Sequence, residues 1–287
     1  MLAIAQASQV AELLGGAELV EVSSDGEAGD KARFVRGVER ALLGGEAEIG
    51  VHSAKDVPAE MPEGLTIAAV PAREDAADVW IGVGGSLDEV PEGARVGTAS
   101  LRRRAQLLAA RPDLVVSELH GNVDTRLRKL AEGELDAIVL AAAGLRRLGR
   151  ESEAAFALPA EAMTPAAGQG ALVLQARAGD DASREAAAAI GDETALRELT
   201  AERAVVTLLE ATCDTPIGVR ATVEGEQLEI EAFVGLPDGS EWIRDRVEAG
   251  ASQTEAADPA AAGSLLAERL LSAGARDILD RAESAHA

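Results

Sequence analysis

Residues 94–149 read ARVGTASLRRRAQLLAARPDLVVSELHGNVDTRLRKLAEGELDAIVLAAAGLRRLG, and the reading of this stretch decides the fold. Three apolar runs, ARVGT, LVVSEL and DAIVL, are each followed by residues with the apolar spacing of a helix. Ser100 opens the first helix, Asn122 and Asp124 sit in the first turn of the second, and the third carries Arg146 and Arg147. Buried strands alternating with helices predict a parallel sheet with covering helices. In open sheets of this kind, ligands sit in the crevice beyond the carboxyl ends of the strands.

Upstream, LAIAQASQVAELLGG (2–16) has helical spacing and a Gly15-Gly16 stop, and Glu18 to Ser23 reads as a strand. DKARFVRGVERALLGG predicts an amphipathic helix capped by Asp30, and GVHSAKDVP (50–58) a buried strand that delivers Lys55 and Asp56 before Pro58 stops it. LTIAAV (65–70) and DVWIGV (78–83) are further strands, and PAAGQGALVLQARAG (165–179) joins a Gly-rich turn to another. A long helix from about 194 to 210, the loop TCDTPIG, three alternating segments with LPDGS as a hairpin turn, and two Ala/Leu-rich helices then read as a small α+β domain. The domains expected are 1–72 with 168–189, 73–167, and 190–287.

The 287 residues include 50 acidic and 27 basic side chains, for a net charge of −23. That balance argues against nucleic acid or anionic membrane as a general partner. Only Lys31, Lys55 and Lys129 are lysine, so the remaining basic side chains are arginine. Abundant carboxylates with scarce lysine suit concentrated salt, where screening shortens charge repulsion to about 3 Å at 1 M. Cys213 is the single cysteine, which excludes an internal disulfide. No apolar run approaches the roughly 20 residues that span a bilayer, and the first residues lack the pattern of a secretory signal. The expectation is a soluble, cytoplasmic, salt-adapted protein.

In so acidic a chain, clustered cations carry the information. The strand ends present Ser53, Lys55 and Asp56, then Thr98, Ser100, Arg102, Arg103 and Arg104, then Asn122, Thr125 and Arg126, then Arg146 and Arg147. Helix starts offer free N–H groups to anions, and arginine adds a planar fork for carboxylate or phosphate. One such group alone is a cap with a solvated arginine. Several at successive strand ends predict a pocket for a ligand with many carboxylates or phosphates. Arg102 and Arg103, about 100° apart on one turn, are both expected to face its mouth. Asp56 is then a carboxylate in a cationic setting, suited to steadying a developing cation or exchanging protons with an amine. Lys31, near Phe34 at a helix start, is a further anion contact. No Walker or Rossmann glycine motif is present, which argues against a nucleotide. Cys213, in a polar Thr-Cys-Asp-Thr loop, suits a nucleophile or an attachment point, and the three histidines make no metal site with it. His52 is expected to be a satisfied core residue.

VHSAKDVP, GTASLRRRAQL, HGNVDTRL, AGLRRLG, PAAGQGA, ETALRELTAERA and TCDTPIG occur in the order found in the porphobilinogen deaminase (hydroxymethylbilane synthase) family, which the chain resembles from residue 2 to near its end. The resemblance implies two α/β domains like the halves of type II periplasmic binding proteins. It adds a small α+β domain with a three-stranded antiparallel sheet. It also implies a monomer that joins four porphobilinogens head to tail with loss of ammonia, on a dipyrromethane cofactor held by a cysteine thioether. On that resemblance Asp56 is the catalytic aspartate, and Cys213 the attachment site. Ser53, Lys55, Thr98, Ser100, Arg102, Arg103, Asn122, Arg126 and Arg147 bind carboxylates, while Lys31 and Phe34 start a helix beside the active site. The competing class is a non-catalytic two-lobed carboxylate-binding module, which the TCDTPIG loop argues against. Two departures stand out. His120 occupies the place of a family arginine, and the chain opens at the LAxxQA helix, where the family has a preceding strand ending in Arg-x-Ser. A start upstream of Met1 is therefore expected.

Overall fold

From its amino terminus the chain runs through helix α1 (Leu2–Leu13), helix α2 (Ala32–Gly44), strand β1 (Gly50–Ser53), a single 3-10 turn (Ala54–Asp56) and strand β2 (Leu65–Ala69). It then crosses into a second sheet through β3 (Asp78–Gly82), β4 (Arg95–Gly97), α3 (Leu101–Ala110), β5 (Val115–Ser117), α4 (Val123–Ala131), β6 (Ala137–Ala141), α5 (Ala142–Arg147) and the short β7 (Phe156–Ala157). It returns with β8 (Leu172–Arg177) and α6 (Asp181–Ala188). The last part comprises α7 (Glu193–Leu208), β9 (Ile217–Glu224), β10 (Gln227–Gly235), β11 (Trp242–Ala249), α8 (Pro259–Ser272) and α9 (Ala275–His286). This computed structural model describes residues 1–22, 32–58, 61–212, 214–250 and 258–286, with the backbone alone for 32–34 and 286.

The second sheet has the order β5-β4-β6-β3-β7. Strand β4 is parallel to both β5 and β6, as residues 94–149 predict, whereas β3 and β7 join antiparallel and make the sheet mixed. Along β3 and β6 alternate side chains enter opposite layers. Trp80 and Val139 pack with Val96 and Leu107 on one face, and Val79, Ile81, Ile138 and Leu140 with Leu127 and Leu145 on the other. Burial on both faces explains why these strands read as unbroken apolar runs. LVVSEL, read as a buried strand, is instead an edge, and Val115 is 55% exposed there.

The first sheet, β1-β8-β2, is antiparallel throughout, because β8 enters between the other two after returning from the second sheet. The strand expected at 18–23 is not found over 18–22, and residue 23 lies outside the described residues, as does the expected cap Asp30. A strand persists only where a neighbour takes its N–H and C=O groups. Among the described residues none pairs with this segment, and Leu19 and Val20 remain about half exposed. The third sheet, β11-β10-β9, is antiparallel, with the LPDGS turn joining β10 to β11. Its inner face packs on Val205 of α7, Leu266 and Leu270 of α8, and Leu279 of α9. The fold is thus α/β with a three-stranded antiparallel C-terminal sheet. No helix among the described residues is long and apolar enough to cross a membrane.

One carboxylate ties the three sheets together. Glu202 of α7, fully buried, accepts from Arg73 Nη1 (2.8 Å) and Nη2 (3.0 Å), from Gly168 N (2.6 Å) and from Ala221 N (2.8 Å). Arg73 and Gly168 lie on the two chain crossings between the first and second sheets, and Ala221 lies on β9. Removing one partner of such a buried cluster strands the others. Glu202→Ala is therefore expected to cost about 3–5 kcal/mol in urea unfolding at constant salt. A loss well under 1 kcal/mol would show that the tie is dispensable.

Candidate active site

Strand β1 ends where its residue pattern changes character. Gly50 and His52 face inward: a Cβ at Gly50 would lie 2.6 Å from Val38, and His52 Nε2 pairs with Gln175 Oε1 at 3.0 Å. His52 is thus a satisfied core residue, as expected, and burial lowers its pKa. Ser53 Oγ accepts from Gln6 Nε2 of α1 at 2.8 Å. The 3-10 turn then turns Lys55 and Asp56 out into solvent-accessible space. Gly168 presses against this turn at φ +71°, where a Cβ would meet Ala54 Cβ at 2.8 Å and Lys55 N at 2.9 Å, so only glycine permits the approach. Beyond the turn, Arg203 of α7 donates to the carbonyls of Val57 (3.2 Å) and Pro58 (2.7 Å).

Opposite stands the second sheet. Asn122 caps α4 by accepting from Thr125 N at 2.9 Å, and Arg126 Nε donates to Gly121 O at 2.8 Å. Arg147, at the end of α5, donates from Nη2 to Gly170 O at 2.7 Å, and its Nε is buried with no protein partner. Ser53, Lys55, Arg103, Asn122, Arg126 and Arg147 thereby line one cavity of about 250 Å³ between the two sheets, floored by Gly168–Ala171. Asp124 is the one acidic side chain lining it among the described residues, and Arg150 holds it at 2.5 Å.

The electrostatics follow from this crowding. Burial, with the charge of Arg103 behind it, pushes the Arg126 guanidinium down to about 10. Burial likewise lowers Arg147, against the pull of Glu74. Lys55 keeps solvent-accessible surface inside the cleft while the dense protein around it lowers its ammonium pKa, with Asp56 pulling the other way. Cations held short of counter-charge in a partly dry cleft are a receptor for anions.

Other expected site residues lie elsewhere. Arg102 is corrected: it does not face the mouth but is 4% exposed, donating from Nη1 to Thr164 O at 2.7 Å and contacting Asp78 Oδ2 at 2.7 Å. The 100° that separates neighbours on a helix turns it inward. Thr98 and Ser100 spend their hydroxyls locally, Thr98 Oγ1 on Ser100 N (3.2 Å) and Ser100 Oγ on Arg103 N (3.4 Å). They line a separate cavity of about 450 Å³ between α3 and the third sheet's β10–β11 turn. Asp56 stands beside Lys55, exposed, without lining the cleft. Lys31 and Cys213 lie outside the described residues, as does the side chain of Phe34. His120 is three-quarters exposed and pairs with Glu118 at 3.0 Å, and the cationic side chains lining the cleft among the described residues are Lys55, Arg103, Arg126 and Arg147.

Sequence reasoning passed over Gln6, Asp78 and Gln169. Each left a trace: a polar residue in the apolar helix LAIAQAS, a carboxylate opening the apolar strand DVWIGV, and an amide inside the PAAGQGA turn. Burial works to raise the Asp78 carboxyl, yet the charges of Arg102 and Arg103 win and hold it far below the usual range.

The model of "Porphobilinogen deaminase, dipyromethane cofactor binding domain" matches residues 1–185, and that of the "Porphobilinogen deaminase, C-terminal domain" matches residues 196–272. Porphobilinogen deaminase of Campylobacter concisus is 45% identical over 258 residues, covering 89% of this chain and 82% of the relative. That of Roseiflexus castenholzii is 46% identical over 252 residues, covering 88% and 81%. Among solved structures, an amino acid ABC transporter substrate-binding protein from Streptococcus pneumoniae bound to L-arginine is similar at TM-score 0.37 and 14% identity, over 66% of this chain and 75% of that one. A likeness so distant carries no argument about this site. With both family models matched in order and relatives at this identity along most of its length, the chain belongs to the porphobilinogen deaminase family, whose members are transferases of tetrapyrrole synthesis.

Proposed function

We propose that the chain joins four porphobilinogens into the linear tetrapyrrole hydroxymethylbilane with release of ammonia, starting on a dipyrromethane held through Cys213. The observation that carries this reading is the cleft of Lys55, Arg103, Arg126 and Arg147, four cations gathered in a chain of net charge −23. Porphobilinogen bears an acetate and a propionate arm on each ring. A dipyrromethane built from it is a compact polyanion, and the residues present fit it. The carboxylates find Lys55, Arg126 and the unpartnered Nε of Arg147, with Ser53 and Asn122 as neutral hydrogen-bonding neighbours. When bound, the dipyrromethane supplies the pyrrole carbon to which the first substrate is joined.

The chain's own residues do the rest. Lys55, Arg103, Arg126 and Arg147 bind and orient carboxylate arms. Asp56, next to Lys55 at the edge of the cleft, steadies the positive charge that develops on the pyrrole and its methylene carbon as the amino group of the aminomethyl arm leaves as ammonia. Its carboxylate then takes the proton that the ring sheds on regaining aromaticity. Cys213 keeps the attachment role, and Lys31 and Phe34 the supporting roles, that the family pattern implies. Thr98 and Ser100 serve the site by capping the helix that carries Arg103, and Arg102 acts only from inside. The domain division 1–72 with 168–189, 73–167 and 190–287 belongs to the same proposal; the gap between the two family matches at 185 and 196 supports its last boundary, and the separate sheets β1-β8-β2 and β5-β4-β6-β3-β7 support the others. So do a monomeric state, a cytoplasmic location and a working range in high salt, which the acid excess supports.

Intact-mass measurement is expected to find the protein heavier by two linked pyrrole units, and Cys213→Ser to lose that mass. An unmodified wild-type mass with reversible binding of small acids would favour the carboxylate-binding module. Asp56→Ala is expected to keep the fold and the added mass but to lower porphobilinogen consumption by about 10²-fold or more. Near-normal rates in that variant would remove Asp56 from the chemistry.

A further inference from the structure

Arg103 reaches the cleft from a buried position, and a single carboxylate accounts for how it is held. Asp78, fully buried at the start of β3, accepts on Oδ1 from Arg103 Nε (3.0 Å) and Nη2 (2.7 Å), while Arg103 Nη1 donates to Val139 O (2.9 Å). Gln169 Nε2 donates to the same Oδ1 (3.0 Å) and to Ala76 O (2.6 Å). Both acceptors lack a proton to give, so the orientation of the Gln169 amide is forced. Arg102 Nη1 lies 2.7 Å from Asp78 Oδ2 but off the hydrogen-bond direction, giving that oxygen a charge contact without an aligned bond.

The donor count shows what remains for a ligand. A guanidinium has five N–H groups, and Arg103 spends three on Asp78 and Val139. Among the described residues the other two have no partner, and they are available to a carboxylate in the cavity that Arg103 lines. The charge count points the same way: two buried guanidinium groups around one carboxylate leave one net positive charge beside the cleft. Without Asp78 the two cations would repel in a site too dry to screen them.

We propose that Asp78 is a positioning residue of the active site, fixing the guanidinium of Arg103 so that its two remaining N–H groups meet a substrate carboxylate. The proposal rests on the function proposed above. Asp78 touches no ligand. It acts through Arg103, and Gln169 aligns it from the floor of the cleft.

The test is a double-mutant cycle on porphobilinogen affinity, measured by calorimetry in an Asp56→Ala background where turnover is slowed about 10²-fold or more. Asp78→Asn is expected to weaken binding at least about tenfold, and Arg103→Lys to a similar extent, since lysine lacks the fork. Combining the two is expected to cost no more than about threefold beyond Arg103→Lys alone, the signature of one residue acting through the other. In the otherwise wild-type enzyme, Asp78→Asn should raise KM at least about tenfold with kcat within about threefold. Should Asp78→Asn fail to fold, Arg102→Met/Asp78→Asn removes the cation left unpaired. It should bind at least about tenfold more weakly than Arg102→Met alone. Unchanged affinity in these folded variants, or losses that multiply, would overturn the positioning role. Absence of porphobilinogen binding in Asp56→Ala itself would instead overturn the functional reading.

Discussion

The buried pairing of Glu202 with Arg73 is the constraint on which the rest of the arrangement depends. The first and second sheets are joined only by two crossings, near residues 73 and 168, and Glu202 receives hydrogen bonds from both. It also receives Ala221 N of β9, so the third sheet is registered against the crossings and not merely tethered to them. Gly168, one of its partners, is also the residue packed under the Lys55–Asp56 turn. A single carboxylate on α7 therefore helps set the floor of the cleft, the position of the Lys55–Asp56 turn and the seat of the third sheet. A buried ion cluster is a costly way to gain stability. What it supplies here is a fixed geometry among three separately cored units.

Around that frame the charges are sorted by depth. The chain carries 23 more acidic than basic side chains, yet among the described residues the cleft is lined by four cationic side chains and by one acid already paired with arginine. Repulsion among so many surface carboxylates is tolerable where salt screens it, while the cleft holds its cations at short range, where screening matters less. Arg146 and Arg147 show how sharply the sorting is made. Arg146 points outward to Glu74 and Asp75 on the surface, whereas Arg147 points into the cleft. Adjacent residues on one helix face directions about 100° apart, so one becomes a surface ion pair and the other a cation lining the cleft.

The same geometry separates what could be read from residue patterns and what could not. The strand–helix units of 94–149, the hairpin at LPDGS and the glycine stop at Gly15-Gly16 were legible because they are local: apolar period, turn chemistry and caps act over a few residues. The strand read at 18–23 failed for the opposite reason, since a strand needs a partner distant in sequence. LVVSEL was read as buried because composition does not reveal that β5 lies at the edge of its sheet. In the site, Ser53, Lys55, Asn122, Arg126 and Arg147 do converge, as their positions at strand and helix ends suggested. Arg102 does not, because Asp78 and the Thr164 carbonyl, remote in the chain, claim its guanidinium.

By itself the sequence determined the fold class, the motifs of the family and the gathering of cations at successive strand ends, because each is written in residue type and short-range spacing. Tertiary structure alone decided which guanidinium faces the cleft and which is consumed inside, that Asp78 and Gln169 stand behind Arg103, and that Glu202 ties the two crossings to the third sheet. Those outcomes depend on distances between residues dozens of positions apart. Packing selects among several arrangements that the same local patterns would equally allow.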